Sequence, residues 1–556
     1  MEKVQTNSIS SKDYESSLIV HNNQENLENA EGINKRQNIQ SGYEQSLALS
    51  DETMNQQRRE NSNDQVVAQE QQHEQANFKW LFQSCFEMAL SFVIDWMPYT
   101  ATLYFISSNS SENIVNGFGL GLVWSNCIGQ GLLYGLGSGL ETMASHAHGA
   151  HKYKQVGQLF NKAVLLSFIV FVVILFAMIF SESILGLWNS NKDVCSIAAE
   201  YCQLIIPGLF IVIFYYVIKA TLNAVNEYRI QVYVSAINLA THLIYCYIFI
   251  KVLDLKIKGA AIVFCLWEIQ TVVMQVLVVI YKKKVRRCFV KPTLEVFNDF
   301  LGYLKVVIPI GAIVGLEWII QEVTSIIASN LSEAQYSAHI IIAQISMFCY
   351  QFLVGYSTAS CTFIGNEMGK KNVANAKKYT IYTVYIIFGH LAVVIIPLAL
   401  LKKQIAEFFT DSSSTIDAIE SVYYWFIAVF LIQSFTSLMG AYMRAIAQEK
   451  FCSFVYLTSS GVIGISSSYS LAYPADLKLD GIWIGQVIAT GVFLLAMIIQ
   501  AFRVDINKMA IIISKRLEEE NAELQKELLE NREEEEDDSE NESHKQTENT
   551  QERNNS

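Results

Sequence analysis

Charge is scarce in this sequence once its two ends are set aside. Only 17% of the 556 residues are Asp, Glu, Lys or Arg, and many of those lie in residues 1–77 and 504–556. A soluble chain of this length divides into several domains with charged surfaces, so that class is excluded. Cysteine pairing is missing too. The ten cysteines form no C-x-x-C pair and no metal-ligand spacing, and they read as small apolar residues. No P-loop is present, which argues against ATP-driven work. No basic-then-apolar leader stands at the N-terminus, so the first apolar span is expected to direct its own insertion. The ends themselves lack apolar content. Residues 1–77 are rich in Gln, Asn, Glu and Ser and cannot bury enough surface to offset their ordering entropy, which predicts a disordered tail. At the other end, Leu517, Leu524 and Leu528 suggest a short helix or weak coiled coil ahead of the acid run "EEEEDDSE". The net charge of −13 belongs largely to these tails and does not point to nucleic acid.

Between the tails, apolar runs recur that are long enough to cross a bilayer, about twelve of them at roughly 20 residues each. The spacing predicts spans near 79–106, 114–142, 158–182, 198–220, 230–252, 259–281, 299–329, 334–364, 376–401, 416–440, 451–472 and 480–503. Lysine and arginine cluster in the loops after spans two (Lys152, Lys154), six ("KKKVRR") and eight (Lys370, Lys371, Lys377, Lys378). By the positive-inside rule those loops, and both termini, are expected in the cytoplasm. The loop after span five, with Lys251, Lys256 and Lys258, dissents. The membrane itself is expected to be the plasma membrane or that of an acidic compartment.

The apolar core repeats itself. "DLKIKGAAI" from Asp254 and "DLKLDGIWI" from Asp476 agree at five of nine positions, 222 residues apart (476 − 254). "LNAVNEYRIQVY" from Leu222 and "MRAIAQEKFCSFVY" from Met443 lie 221 apart (443 − 222). The expected fold is an all-α polytopic membrane protein of two pseudo-symmetric six-helix lobes, 78–282 and 299–503, joined by a cytoplasmic loop 283–298. Such repeats usually face each other across a central cavity, with the substrate near the midplane.

Two acids interrupt the seventh span in "GLEWIIQE": Glu317 and Glu322. A carboxylate there costs roughly 3 kcal/mol on insertion scales, so intramembrane acids are functional by default. Protonated, such a group has no hold on a cation, and ionised it attracts one; a proton and an organic cation then compete for one site. Residues five apart on a helix differ by about 140°, so the two acids take separate directions, with Glu317 expected to face the cavity. An offset of 222 pairs Glu317 with Asp95, and Trp318 with Trp96 (317 − 95; 318 − 96). Either tryptophan could wall a cavity and attract cations, or simply pack at the interface. Pro309 is placed to bend the seventh helix.

At these residues the chain resembles the multidrug and toxin extrusion transporters, eukaryotic branch. The matching motifs are "GLGSGLETMASHAHGA" (Gly135 to Ala150), "LEWIIQE", "STASCTFIGNEMG" (Ser357 to Gly369) and "GAYMRAIAQEK", in the family's order. The resemblance implies a twelve-helix exporter of organic cations and related amphiphiles, exchanging them for protons by alternating access with no other cofactor. It carries the cation and proton sites over to Glu317 and Glu322, and makes Asp95 a proton-linked candidate. Where animal members place further acids in helices eight and ten, this chain has Gln344 and Gln433, which can hydrogen-bond but not ionise. The family's glutamine after span two is His146 here.

Other readings weigh less. A lipid-linked saccharide flippase of the same superfamily would be expected to line its cavity with cations, whereas the acids stand inside the spans here. A membrane-embedded enzyme would need a ligand set that "HAHGAH" does not supply: His148 and His151 share a face but His146 does not. A transport-inactive scaffold acting through its tails is the remaining alternative. Arg444, at a helix end, is expected to snorkel to the interface.

Overall fold

The structure, a computed structural model, describes residues 76–519 apart from 188–190 and 411. The disordered tail expected over 1–77 and the acid run after 519 therefore lie almost wholly outside the described residues. Within them every regular element is helical. The long helices are α1 (Phe78–Asn109), α2 (112–149), α3 (Tyr153–Ile179), α4 (Lys192–Leu204 and Ile206–Ala224, broken at Ile205), α5 (Tyr228–Val252), α6 (Lys256–Tyr281), α7 (Phe300–Ser329), α8 (Glu333–Gly369), α9 (Val373–Leu400), α10 (Ser413–Ala445), α11 (Glu449–Ala472) and α12 (Lys478–Arg503). A further helix, α13 (506–519), follows.

Among the described residues, ten helices are long and apolar enough to cross a membrane. The other two long helices, α1 and α2, are more polar: α1 carries Lys79, Glu87 and Asp95, and α2 is rich in glycine. The bundle's outer face is apolar, as on α3, where Val172, Val173 and Phe176 are each more than half exposed. Side chains of that kind lie against lipid rather than water. All ten cysteines are unpaired and nine are buried, as their scattered spacing implied.

The repeat is written into the backbone more clearly than into the sequence. Left-handed backbone is rare outside glycine, yet His151 and Lys371 adopt it 220 residues apart (371 − 151), Asn226 and Ala447 221 apart (447 − 226), and Asp254 and Asp476 222 apart (476 − 254). Lys256 and Lys478 make a fourth pair at 222 (478 − 256). The N-caps repeat as well. Asn77 accepts from the Trp80 backbone N–H to start α1, and Asp299 accepts from that of Gly302 to start α7, each satisfying a donor the helix leaves orphaned.

The two lobes are sewn together along one end. The early turns of α1 pack on α8, and the later part of α2 packs on α7 and α8. Gly149 and Gly369 let the ends of α2 and α8 touch: a Cβ at Gly149 would collide with the Asn366 carbonyl, and one at Gly369 with that of His146. Around this seam Thr362 donates to Glu141 at 3.0 Å, and Asn366 donates to Asn226 at 3.4 Å. Helix α13 lies over it. Lys152 donates to the Leu517 carbonyl at 2.6 Å, and Lys371 pairs with Glu518 at 3.3 Å, so residues of both lobes hold α13.

Candidate functional site

The seventh-span acid sits inside its own lobe. On α7, Val307, Gly311 and Gly315 follow at i, i+4 and i+8 and press against α2 of the other lobe. Glu317 is two residues past Gly315, about 200° around the helix, and points the opposite way. Its half-buried carboxylate accepts the Tyr350 hydroxyl of α8. Arg444 is the cation whose field reaches it. The glycine stripe that lets α7 approach α2 thus turns Glu317 away from that contact and toward α8. Glu322 and Trp318 follow on the same helix, but their side chains lie outside the described residues.

Gln344 is not beside Glu317. It falls on an exposed stripe with Ile340 and Phe348, one turn away on either side. Gln433 is half-buried on α10, one turn before Ser437, whose hydroxyl donates to the Leu353 carbonyl of α8. Gln433 thus lies on the α8 side of its helix. Arg444 does not snorkel. It reaches inward and donates to the Ser357 hydroxyl at 3.2 Å, and its charge also acts on Glu141. The three histidines of "HAHGAH" separate. His146 donates from Nε2 to the Ala445 carbonyl at 2.7 Å and accepts from Arg516 at Nδ1. His148 meets Asn366, and His151 meets Tyr153.

Asp95, the repeat partner of Glu317, has a different surrounding. Lys219 of α4 donates to its carboxylate at 2.7 Å. Tyr215, one turn earlier on α4, closes the triangle: its hydroxyl donates to Asp95 at 3.4 Å and accepts from Lys219 at 3.0 Å. The Lys219 ammonium also stands 4.6 Å from the Phe92 ring centre, a favourable cation–π distance. Beside this triangle a π-helical turn, Ser125–Gln130, interrupts α2. Such turns mark functional positions often enough to be noticed. Here its last residue, Gln130, accepts from Tyr99 at 2.7 Å and Tyr216 at 3.3 Å. Trp96 stacks obliquely on Tyr99, with ring centres 5.7 Å apart. On α6, Glu268 is 2% exposed and lies in the fields of Asp95 and Lys219.

Sequence reasoning missed Lys219, Glu268 and the role of Arg444. The Glu268 signal was present: "CLWEIQ" places an acid in the middle of the sixth span, as "GLEWIIQE" does in the seventh. Lys219 was hidden because it stands next to the predicted end of its span, where a lysine ordinarily snorkels.

Two repeated helical bundles, each with polar and charged groups buried within it, define a multi-pass membrane protein. The comparisons with known proteins narrow this. The MatE family model matches residues 88–248 and 309–470, once in each half. The chain belongs to that family, the multidrug and toxin extrusion transporters. Protein DETOXIFICATION 9 of Arabidopsis thaliana is 25% identical over 397 residues, covering 70% of this chain and 81% of that protein. Multidrug and toxin extrusion protein 1 of Homo sapiens is 24% identical over 368 residues, 66% of this chain and 64% of that protein. Among solved structures, the eukaryotic MATE transporter AtDTX14 superposes with a TM-score of 0.75 at 18% identity, covering 79% of this chain and 98% of that one, a likeness of fold.

Proposed function

We propose that this transporter exchanges protons for small organic compounds, cations foremost, by alternating access, with Glu317 as the group over which proton and substrate compete. The observation that carries this reading is the Tyr350–Glu317 contact. A tyrosine hydroxyl can donate to a carboxylate and accept from a carboxylic acid, so it supports either protonation state without fixing one. Glu322, five residues on, is the second acid proposed for proton transfer. The names of the human and rabbit relatives, multidrug and toxin extrusion proteins, favour export. Lysine distribution puts the loops after α2 and α8 in the cytoplasm. On that orientation the seam around Gly149 and Gly369 closes the cytoplasmic end, and the two termini share that side.

The test is uptake of a fluorescent organic cation into proteoliposomes under an imposed pH gradient. Accumulation that collapses with a protonophore is expected. In Glu317→Gln, which keeps shape and removes charge, initial uptake should fall roughly tenfold to a hundredfold, since a hydrogen bond to a charged group is worth about 1.5–3 kcal/mol. Wild-type exchange in that variant would refute the role of Glu317, and equal driving by a sodium gradient would refute proton coupling.

A further inference from the structure

One cluster in the first lobe brings together two carboxyl groups, Asp95 and Glu268, and one ammonium, Lys219. Lys219 is committed to Asp95 at 2.7 Å, and Tyr215 and Phe92 hold it there. Glu268 has no such partner: among the described residues, no hydrogen bond or ion pair engages its carboxylate. With both acids ionised the cluster carries one negative charge too many. An uncompensated charge in an interior of this kind is costly, because neither water nor a counter-ion offsets its desolvation. The excess is relieved by a proton, or by a cation, at one of the two acids. A proton on Asp95 would strand the Lys219 ammonium, while a proton on Glu268 strands nothing.

The remaining titratable groups that face Glu268 do not change this count. Tyr99 comes from α1, Tyr201, Tyr215 and Tyr216 from α4, and Cys265 from α6 itself. All are neutral in the ordinary range, the phenols ionising only near pH 10. His242 of α5 is the one group nearby whose ordinary range is near neutrality. Its Nε2 pairs with the Thr102 hydroxyl at 2.8 Å, its ring meets Trp267, and its buried Nδ1 finds no partner among the described residues. A second ring proton there would be a buried, unbonded donor, which is unfavourable.

We propose that Glu268 is a proton-exchanging acid of the first lobe, and that Lys219 assigns it that role by committing the cluster's one ammonium to Asp95. This rests on the reading of the protein as proton-coupled, so the test uses a readout that needs no transport. Infrared difference spectra of the purified full-length protein, taken between acidic and alkaline pH, report protonated carboxyl groups through their C=O stretch. Glu268→Gln is expected to lose one titrating band; in Asp95→Asn, where Lys219 is freed to balance Glu268, that band is expected to move to lower pH. Lys219→Met should gain a band, because Asp95 then needs a proton of its own. An unchanged spectrum in Glu268→Gln, or a band in Asp95→Asn that stays at its wild-type pH, would overturn the assignment. Lys219→Met without an added band would overturn the role of the lysine. Should that variant fail to fold, the double variant Asp95→Asn, Lys219→Met removes both charges and should keep the Glu268 band; its loss counts against the proposal. Glu317→Gln removes a band of its own. Wild-type uptake in Glu317→Gln together with band loss in Glu268→Gln would therefore sink the C-lobe reading and leave this one standing.

Discussion

The first helix of each lobe carries an acid at the same place in the repeat, and the two are answered differently. Asp95 of α1 meets an ammonium, Lys219 at 2.7 Å. Glu317 of α7 meets a phenol, Tyr350. A fixed cation favours one charge state of its partner, whereas a hydroxyl bonds to both states. Duplication has therefore preserved the position of the acid without preserving its chemistry. At the Lys219 position the second lobe offers only small residues in the aligned stretch, Gly440 by the 221 offset (440 − 219) and Ala441 by 222 (441 − 219). The cation of α10 whose field reaches Glu317 is Arg444, one turn further on, and it bonds to Ser357 rather than to the acid.

Removing each partner in turn is the strongest way to break that comparison. Lys219→Met leaves Asp95 as a buried, unpaired acid and should destabilise the protein by about 3–5 kcal/mol, the range for breaking a buried pair. The value is expected near the lower end, because the Asp95 side chain keeps 19% exposure. Tyr350→Phe removes only a hydrogen bond and should cost about 1–3 kcal/mol. Chemical unfolding in detergent, followed by fluorescence, checks both. The double variant Asp95→Asn, Lys219→Met should recover most of the single-variant loss. Equal costs for the two single variants would mean that the lobes are answered alike.

The seam offers a symmetric probe, with a smaller effect. Gly149 and Gly369 stand at equivalent places, and each meets a backbone carbonyl of the opposite lobe. Valine at either position forces α2 and α8 apart, at a cost in the 1–3 kcal/mol range typical of overpacking. Spin-label distances between the two lobes should lengthen at the seam by a similar amount in Gly149→Val and Gly369→Val. Lengthening in one variant alone would show that the repeat is not functionally symmetric at this end.

How much of this was legible in the sequence follows from what each signal measures. Apolar length is a property of the chain alone, so the long helices and the two-lobe plan could be read directly. The offset of 222 located Asp95 from Glu317 because both lie on a first helix. It could not say what faces them, since Lys219 arrives from α4 through packing. Nor could it say that Glu317 turns toward α8, which depends on the glycine stripe on α7 meeting α2. Glu268 was missed for a different reason. It has no counterpart at the same offset, where the residue is Thr490 (490 − 268), and a search guided by symmetry passes over an unmatched acid. The family motifs located Gly149 and Gly369 without explaining them; the close approach of α2 and α8 does.

The smallest effect tests how the lobes share α13. On the first-lobe side Lys152 donates to a backbone carbonyl, that of Leu517, and His146 accepts from Arg516. On the second-lobe side the hold is Lys371 on Glu518. The Ser514 hydroxyl, and then the Lys371 ammonium, hold the exposed Glu518 carboxyl below its usual range. A docked value below the free one means this contact contributes fully above the ordinary glutamate value of about 4.3, and is lost as pH falls through the docked value. Amide exchange in residues 506–519 should accordingly be steady near neutrality and rise modestly in acid, beyond the intrinsic change with pH. High salt should mimic the effect, since exposed pairs are screened. Lys371→Met should abolish the acid-dependent part while leaving the Lys152 contact in place. If exchange rises equally in Lys371→Met, the acid sensitivity belongs to some other contact of α13, and the two lobes do not divide its anchoring in this way.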